Sequence, residues 1–507
     1  MGIFQPVPDL LVGSKFSWGD YNGDGWDDLL VDGRRLLRND AGTLVDANEE
    51  AGIDPDKGTG GVWGDYDNDG CLDLFTFIED PSTPDILYRN GCDGTFTAVT
   101  DDAGIVDLQT FNPCPKNDAD QPGSPTAAAT WVDVDNDGFL DLYLGNEICW
   151  EWTGGYFVDT VWHNEGDGTF TEWTGTHGFL GYLDQENAWG TRGTSALDYD
   201  QDGDQDIFAN NYHLNPNLFY RNEGGGEFTQ VADVVGVKGV IEPGFEGGGV
   251  YGHSVGAAWG DIDSDGDFDL IVASLAHPRF FDFSDKTQVF QQNDDGTFTD
   301  TQGDWSFPWG DSGVRFSEGH FSPVLADFNQ DGHLDLIISS AYEGRTTDFY
   351  WGDGAGKFDL DSYHAGIKTS YGVGLASGDM DNDGDLDLAS ATTIWTNTMA
   401  AEDSGAWLQL RLVGNVSSNR AAIGATVHVH AGDQKWLRHV SGGNGHGCQE
   451  SQTVHLGLGD LQAVDSITVA FPGGTDVEYT GPFEADQRLW LFEDGTSAAG
   501  WAPPPSD

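Results

Sequence analysis

A nine-residue acidic motif with glycine at its sixth position occurs seven times in the chain, for example as DYDNDGCLD from Asp65. The side chains at positions 1, 3, 5 and 9 of such a loop converge, position 7 offers a backbone carbonyl, and the glycine permits the tight reversal. Hard oxygen donors in a flexible loop suit Ca²⁺ better than Mg²⁺, whereas softer metals require His or Cys. The motif therefore predicts about seven Ca²⁺ sites.

The predicted cation ligands are the side chains at positions 1, 3, 5 and 9 of each copy. One copy alone could be an ordinary Asx-rich turn, but seven copies in register favour a cation cage. The motif is not an EF-hand, because it lacks a glutamate at the twelfth position and is flanked by strand-like segments. The ligands are Asp20, Asn22, Asp24 and Asp28; Asp65, Asp67, Asp69 and Asp73; Asp133, Asp135, Asp137 and Asp141; Asp198, Asp200, Asp202 and Asp206; Asp261, Asp263, Asp265 and Asp269; Asp327, Asn329, Asp331 and Asp335; and Asp379, Asp381, Asp383 and Asp387.

The whole chain is strongly acidic, with 86 Asp and Glu against 21 Lys and Arg and a formal net charge of −65. This charge opposes binding to nucleic acid or to anionic membranes, because long-range repulsion hinders the encounter. No apolar run is long enough for a membrane-spanning helix. The first residues of the chain lack the basic start and apolar centre of a signal peptide.

Short β-prone segments flank every acidic motif, and a Gly-rich hairpin such as LYRNGCDGTF follows most copies. Each unit therefore reads as strand, acidic loop, strand, connection, strand, glycine turn and strand. Seven such units bury their sheets against each other when they are arranged radially, which predicts a seven-bladed β-propeller over residues 1–400. A linear solenoid is the alternative. The seventh unit lacks a fourth strand, so we expect the N-terminal segment GIFQPVP to close the last blade.

The repeats resemble the FG-GAP or VCBS repeats of integrin α-subunit propellers. The segments WGDYDNDGCLDL and LYRNGCDGTF are similar to the version found in the cartilage acidic protein family and its bacterial relatives. Residues 401–493 contain no acidic loop, and SSNRAAIGATV, HVSGGNG, HLGLGD and VDSITVAFPGG resemble the ASPIC/UnbV domain. The resemblance implies an all-β chain in which a small β-sandwich-like domain follows the propeller. Residues 494–507 are expected to be a flexible tail.

Two cysteine pairs fall close together in the predicted blades. The loops joining strands 1 and 2 and strands 3 and 4 share a rim, so Cys71 and Cys92 can form a disulfide. Cys114 and Cys149 lie in connections that share the opposite rim, and we predict this pair as well. Two disulfides indicate an extracellular, periplasmic or cell-surface location. Free buried thiols are the alternative, and Cys448 stays unpaired in either case.

The rim opposite the acidic loops carries long insertions rich in glycine and aromatic residues. Propellers usually bind ligands on the face with long loops, so a ligand face is predicted there. The alternative is that these aromatic side chains fill the cores of the loops. No catalytic residue is assigned, because the sequence contains no nucleophile elbow, HExxH motif or phosphate loop. The candidate ligand-face residues are Trp150, Trp152, Trp189, His253 and His320.

These features favour a secreted or surface propeller that acts in recognition or adhesion, with Ca²⁺ as a structural ion. Its partner would be an extracellular protein, a glycan or a small molecule. The alternative is a lyase or cyclase that acts on a sugar or natural product at the insertion-lined face.

Overall fold

In the computed structural model, β-strands are the main regular secondary structure of the described residues. The described residues are 3–8, 10, 13–105, 123–147, 157–179, 189–240, 242–243, 249–276, 285–303, 309–367, 372–391, 393–399 and 404–501. Within them, helix is confined to the single turns α1 (Asn48–Ala51), α2 (Thr100–Ala103), α3 (Ala232–Val235) and α4 (Ser362–Ala365). None of the described helices has the length and hydropathy needed to cross a membrane.

Seven four-stranded antiparallel sheets form the blades of the propeller. Blade 1 has β2 (Phe16–Gly19), β3 (Asp28–Val31), β4 (Arg35–Asn39) and β5 (Leu44–Asp46), and blade 2 has β6 (Gly60–Gly64), β7 (Asp73–Phe77), β8 (Ile86–Asn90) and β9 (Phe96–Ala98). Blade 3 has β10 (Thr126–Val132), β11 (Asp141–Asn146), β12 (Thr160–Asn164) and β13 (Phe170–Glu172), and blade 4 has β14 (Thr191–Leu197), β15 (Asp206–Asn211), β16 (Leu218–Asn222) and β17 (Phe228–Gln230).

The remaining blades follow the same order after a short ribbon of β18 (Glu242–Pro243) and β19 (Gly249–Val250). Blade 5 has β20 (Ser254–Gly260), β21 (Asp269–Ser274), β22 (Gln288–Gln292) and β23 (Phe298–Asp300), and blade 6 has β24 (His320–Ala326), β25 (Asp335–Ser340), β26 (Asp348–Gly352) and β27 (Phe358–Leu360). Blade 7 has β28 (Leu375–Gly378), β29 (Asp387–Ser390), β30 (Ile394–Asn397) and the N-terminal β1 (Phe4–Pro6).

The blades form a closed ring. The first strand of each blade contacts the first strand of the next, and β28 of blade 7 returns to β2 of blade 1. Strand β1 pairs antiparallel with β30, with Phe4 opposite Asn397. Both the seven-bladed fold and its closure by the N-terminal strand are therefore confirmed.

Glycines at the ends of the first strands let neighbouring blades approach closely. A Cβ atom on Gly64 would lie 2.8 Å from Cδ1 of the buried Trp131 in blade 3, and one on Gly19 would lie 2.7 Å from Cδ1 of Trp63. The indoles of Trp18, Trp63 and Trp131 in blades 1 to 3 thus pack over the backbone of the preceding blade. The WGD sequence before an acidic loop serves blade packing as well as the turn.

The C-terminal domain consists of two four-stranded sheets, with strand orders β34-β31-β37-β38 and β33-β32-β35-β36. The first sheet includes a parallel pair, β31 and β37, and side chains of both sheets share one buried core. Part of the segment expected to be a tail is ordered here, because β38 pairs with β37 and Trp490 Nε1 donates to the Gly500 carbonyl at 3.0 Å. The strands are β31 (Ala406–Val413), β32 (Thr426–Ala431), β33 (Gln434–His439), β34 (Val454–Gly459), β35 (Ala463–Ala470), β36 (Val477–Glu484), β37 (Gln487–Phe492) and β38 (Ser497–Ala499).

Candidate metal loops and the filled propeller axis

Each acidic loop joins the first and second strands of its blade, and its carboxylates hold the loop backbone in place. In blade 2, Asp65 accepts hydrogen bonds from the Asp69 and Gly70 amides at 3.1 and 2.8 Å. Asp73 accepts from the Tyr66 and Asn90 amides at 3.1 and 2.7 Å. The position-9 carboxylate therefore ties the loop to the third strand of the same blade.

Several loops bring three carboxylates close enough to hold one cation. Oxygen atoms of Asp65, Asp67 and Asp73 lie within 4.8 Å of one another, and the equivalent carboxylates of blade 4 do the same. Buried oxygens at position 3, Oδ1 of Asp135 and of Asp200, have no hydrogen-bond partner within the described structure. A hard divalent cation would supply the missing interaction, so the residues fit such an ion.

The position-1 and position-9 carboxyls lie in surroundings that disfavour their charge. Burial is the main cause that raises the pKa of Asp65 to about 7, of Asp73 to about 9 and of Asp269 to about 8. Neighbouring carboxylates raise these pKa values further. A bound cation would favour the ionised forms, because an opposite charge a few ångströms away stabilises a carboxylate.

The loops differ in the side chain that faces them from the third strand. In blade 2, Nε of Arg89 lies 2.6 Å from Oδ2 of Asp67. In blade 3, Nδ1 of His163 lies 3.0 Å from Oδ1 of Asp141. Seven copies of one motif are therefore not seven identical electrostatic environments.

An asparagine at the end of the third strand links each of several loops to the preceding blade. The side-chain amide of Asn90 donates to the Leu72 carbonyl at 2.9 Å and to the Tyr21 carbonyl of blade 1 at 2.8 Å. Asn164 and Asn222 make the same connection to blades 2 and 3. Sequence reasoning missed this role, although the signal was present in the recurring LYRN, VWHN and FYRN segments.

The C-terminal domain packs on the rim that carries the acidic loops. Arg488 donates to the Gly25 carbonyl at 2.9 Å and to Oδ1 of Asn382 at 3.1 Å. Gln409 donates to Oδ2 of Asp379, a predicted ligand, at 2.7 Å. This domain therefore contacts acidic loops of blades 1 and 7 directly.

Residues 441–451, within the connection between β33 and β34, enter the centre of the propeller, and we call this segment the axial loop. The Trp131 amide donates to the Gly442 carbonyl, and the Thr194 amide to the Gly445 carbonyl, both at 3.0 Å. These donors belong to first strands of blades 3 and 4, which face the axis. The axial loop thus pairs with the inner edges of the blades.

Gln449 fixes the returning arm of the axial loop. Its amide donates to the Phe16 carbonyl at 3.0 Å, and its side chain accepts from the Trp63 amide at 2.7 Å and donates to the Trp63 carbonyl at 3.0 Å. Cys448, beside it, is a buried free thiol, as the sequence predicts.

The tip of the axial loop lies among charged side chains near the rim opposite the acidic loops. Nδ1 of His446 lies 2.6 Å from the Arg192 carbonyl, and Lys15 pairs with Glu79 at 2.7 Å. Burial raises the pKa of Glu79, but the charges of Lys15 and His446 and the hydrogen bond from Lys15 lower it to about 2. Burial holds the pKa of His446 well below its usual value.

His320, a predicted ligand-face residue, lies inside the inter-blade packing. Its Nδ1 lies 2.8 Å from Oγ1 of Thr287, and its Nε2 lies 3.2 Å from Oδ2 of Asp348. His320 is the first residue of β24 in blade 6. The equivalent first residue of β10 in blade 3 is Thr126, whose hydroxyl donates to Asp85 of the preceding blade at 2.7 Å. His320 therefore occupies a structural position that a threonine fills in blade 3.

The other predicted contacts of this face have mixed outcomes. His253 is buried with its ring 4.8 Å from Tyr212, and Trp189 packs partly buried against the core of blades 3 and 4. Trp150 and Trp152 lie outside the described residues. The Cys114–Cys149 pair also lies outside them.

The predicted disulfide between Cys71 and Cys92 is confirmed, with an S–S distance of 2.05 Å. It joins the acidic loop of blade 2 to the turn between its third and fourth strands. The bond therefore links two loops on the same rim, as the blade geometry requires.

Two family models match the chain. The FG-GAP-like repeat matches residues 198–272, 261–338 and 327–390, and the ASPIC and UnbV model matches residues 415–498.

Two curated relatives extend the comparison. Cartilage acidic protein 1 of Xenopus tropicalis is 28% identical over 290 residues, and the human protein is 26% identical over 305 residues. The matches cover 53% and 56% of this chain, but only 40% and 41% of the relatives. The chain therefore spans well under half the length of these relatives.

Solved structures resemble the chain only weakly. The GH74 enzyme of Niastella koreensis is matched over 98% of this chain and 71% of its own, with 13% identity and a TM-score of 0.38. A rhamnogalacturonan lyase of Bacillus licheniformis is matched over 99% and 75%, with 12% identity and a TM-score of 0.32. The chain therefore contains FG-GAP-like repeats that are followed by a segment matching the ASPIC and UnbV model.

Proposed function

We propose that this protein is a secreted or cell-surface β-propeller, stabilised by Ca²⁺, that recognises an extracellular partner. The observation that carries the proposal is the repeated loop in which buried carboxylates surround unpartnered oxygen atoms such as Oδ1 of Asp200. Each loop offers only hard oxygen ligands from its motif, which favours Ca²⁺ over softer metals.

The ion's role would be structural. The position-9 carboxylate bonds both to its own loop and to the third strand, as Asp206 does with the Tyr199 and Asn222 amides at 3.1 and 2.8 Å. A cation that neutralises this carboxylate would hold three segments of one blade together. Because the ion binds the folded state, stability should rise with the logarithm of its excess over the dissociation constant.

The Cys71–Cys92 disulfide supports an extracellular or periplasmic location, since such bonds persist in oxidising compartments. Extracellular calcium is also high enough for the weaker class of oxygen-ligand sites. The extracellular-type family of the curated relatives is compatible with this location.

The filled centre of the propeller supports a role in recognition rather than in catalysis. The axial loop occupies the place where many propellers bind a ligand, and His446 at its tip and the nearby Lys15 of blade 1 are only 5% and 3% exposed. A lyase or cyclase would need an accessible acid–base pair, whereas these side chains are engaged with Glu79 and the Arg192 carbonyl. A protein or glycan partner would therefore contact an outer surface of the propeller.

Thermal unfolding tests the role of calcium. We expect the melting temperature to fall by roughly ten degrees or more when calcium is replaced by EDTA, because several sites would be emptied together. Magnesium at equal concentration is the matched control and should restore little, since its strict octahedral geometry suits these loops poorly. An identical melting temperature in calcium and EDTA would overturn the proposed role.

A further inference from the structure

A chamber of about 120 Å³ lies between the axial loop and the inner strands of blades 4 to 7. The main chain of the axial loop hydrogen-bonds to blades 1, 3 and 4 and, through the Ser451 amide and the Ser377 carbonyl, to blade 7, and it leaves this space beside blades 5 and 6. Trp259, Phe268 and Leu325 form part of an apolar wall, and residues of β33, β34 and the axial loop form a polar wall. The chamber exists only because the ASPIC/UnbV domain enters the propeller.

Arg438 on the polar wall lacks the partners that a guanidinium group needs. Its Nη1 donates to the neighbouring Leu437 carbonyl at 2.9 Å, and its Nη2 is buried with no hydrogen-bond partner. It forms no ion pair within 4.0 Å with any residue in the described part of the chain. A guanidinium group has five N–H donors, and a buried one is normally paired.

Two further polar atoms on the same wall lack partners, namely Nδ1 of His455 and Oγ1 of Thr453. His455 Nε2 lies 2.9 Å from the Gly384 carbonyl, so Nε2 carries the proton. Burial lowers the pKa of His455 to about 4, and the ring is neutral near pH 7. Nδ1 therefore presents a lone pair that can accept a hydrogen bond.

No acidic group of the chamber forms a hydrogen bond or a close ion pair with Arg438 in the described structure, although the charges of Asp327 and Asp261 interact with the charge of Arg438 at longer range. Glu450 is hydrogen-bonded to Asn444, and burial raises the pKa of its carboxyl group. Both oxygens of Asp327 accept backbone hydrogen bonds within its own loop, from Asp331 and Gly332. The guanidinium group thus faces the chamber with donors that remain available.

We propose that this chamber binds a small carboxylate that also carries a hydroxyl group. The carboxylate would accept from Arg438, which matches its planar geometry, and the hydroxyl would donate to Nδ1 of His455 while Thr453 completes the site. A dry cavity of about 150 Å³ holds benzene, so this volume suits a ligand of about six non-hydrogen atoms or fewer. The chamber borders the acidic loop of blade 6, because Asp327 lies in its lining.

Titration calorimetry of the full-length protein with sodium lactate tests this site. We expect saturable binding of one lactate per chain, and much weaker binding of lactamide, which lacks the charge. Arg438→Gln should abolish binding, and Thr453→Val should weaken it by about tenfold, the effect of one lost hydrogen bond. Arg34→Gln on the exposed surface of blade 1 is the matched control and should bind lactate as the unchanged protein does.

Refolding in the presence of lactate, followed by a crystal structure, removes any dependence on slow exchange into the interior. Lactate bound to Arg438 and His455 would support the site. Ordered waters alone after such refolding, or equal lactate binding by both Thr453→Val and the unchanged protein, would overturn it. The valine variant keeps the shape of threonine, so the test stands even where Arg438→Gln does not fold.

Discussion

At the scale of single residues, the asparagine that ends the third strand contributes to stability between blades as well as within one. The side-chain amide of Asn164 donates to the Leu140 carbonyl at 3.1 Å and to the Tyr66 carbonyl of the preceding blade at 2.8 Å. Both carbonyls lie in buried surroundings where water cannot replace the donor. The same side chain also accepts from the Gly166 amide at 3.0 Å.

Replacing Asn164 by Ala should therefore lower the free energy of unfolding by about 2 to 4 kcal/mol, because buried polar groups lose their partner. Urea unfolding followed by tryptophan fluorescence measures this change. Asn293→Ala is the control and should cost less, since Asn293 is exposed and its side-chain hydrogen bonds to Thr297 and Thr299 stay within one surface hairpin of blade 5. Equal effects of the two substitutions would contradict the inter-blade role.

His320 gives a second residue-scale prediction. Because Thr126 fills the equivalent position in blade 3, we expect His320→Thr to keep the fold and change the melting temperature only slightly. Asp348 would keep its pair with Arg315, whose Nε lies 2.7 Å away. His320→Phe, which can form neither hydrogen bond, is the comparison and should be clearly destabilising. Equal loss of stability in both variants would count against the structural role of His320.

Local patterns predict some of these residues and not others. The acidic loops and the Cys71–Cys92 pair each lie within one repeat, so the sequence of that repeat is enough to predict them. The role of His320 depends on Thr287, just before β22 of blade 5, and on Asp348, which begins β26 of blade 6. Only the three-dimensional structure brings these residues together and shows that His320 has a packing role.

At the scale of elements, the axial loop joins the two domains through backbone contacts that tolerate no side chain. A Cβ atom on Gly442 would lie 2.0 Å from the Trp131 carbonyl oxygen, and one on Gly447 would lie 2.2 Å from Cζ of Phe77. The GGNGHG sequence therefore permits close approach to the inner strands. The sequence signals a glycine-rich loop, but nothing in its local pattern says that it enters the propeller.

Gly442→Ala should displace the axial loop, because the backbone carbonyl of Trp131 cannot move without breaking blade 3. We expect faster proteolytic cleavage between the domains and a lower melting temperature. Gly175→Ala is the control, since a Cβ atom there meets nothing within 4 Å. Unchanged proteolysis of Gly442→Ala would show that the two domains do not depend on this contact.

At the scale of the whole molecule, arginines of the C-terminal domain balance part of the negative charge of the acidic loops. The positive charges of Arg411 and Arg488 interact with the carboxylate of Asp20. The positive charge of Arg438 interacts with the carboxylates of Asp261 and Asp327. These arginines are among the 21 basic residues of a chain with a net charge of −65, so their placement next to the loops is significant. Cations bound to the loops would share this task of balancing buried negative charge.

The pH dependence of stability follows from these buried carboxyls. Without a cation, Asp65, Asp73 and Asp269 have pKa values of about 7, 9 and 8 in the folded protein, mainly because of burial. An unfolded aspartate has a pKa of about 3.9. The folded state therefore binds more protons than the unfolded state between these limits, and its stability falls as pH rises through them. Glu79 has the opposite sign, but its lowered pKa acts only at more acidic pH.

We therefore expect the EDTA-treated protein to melt at a higher temperature at about pH 5.5 than at about pH 8.5. Added calcium should raise the melting temperature most at the alkaline pH, because protons compete with the cation for the same carboxylate oxygens. Differential scanning calorimetry across this range, with and without calcium, measures both effects. A cation-free protein that is most stable at alkaline pH would contradict the burial of these carboxyls, and a calcium increment independent of pH would contradict their role as ligands.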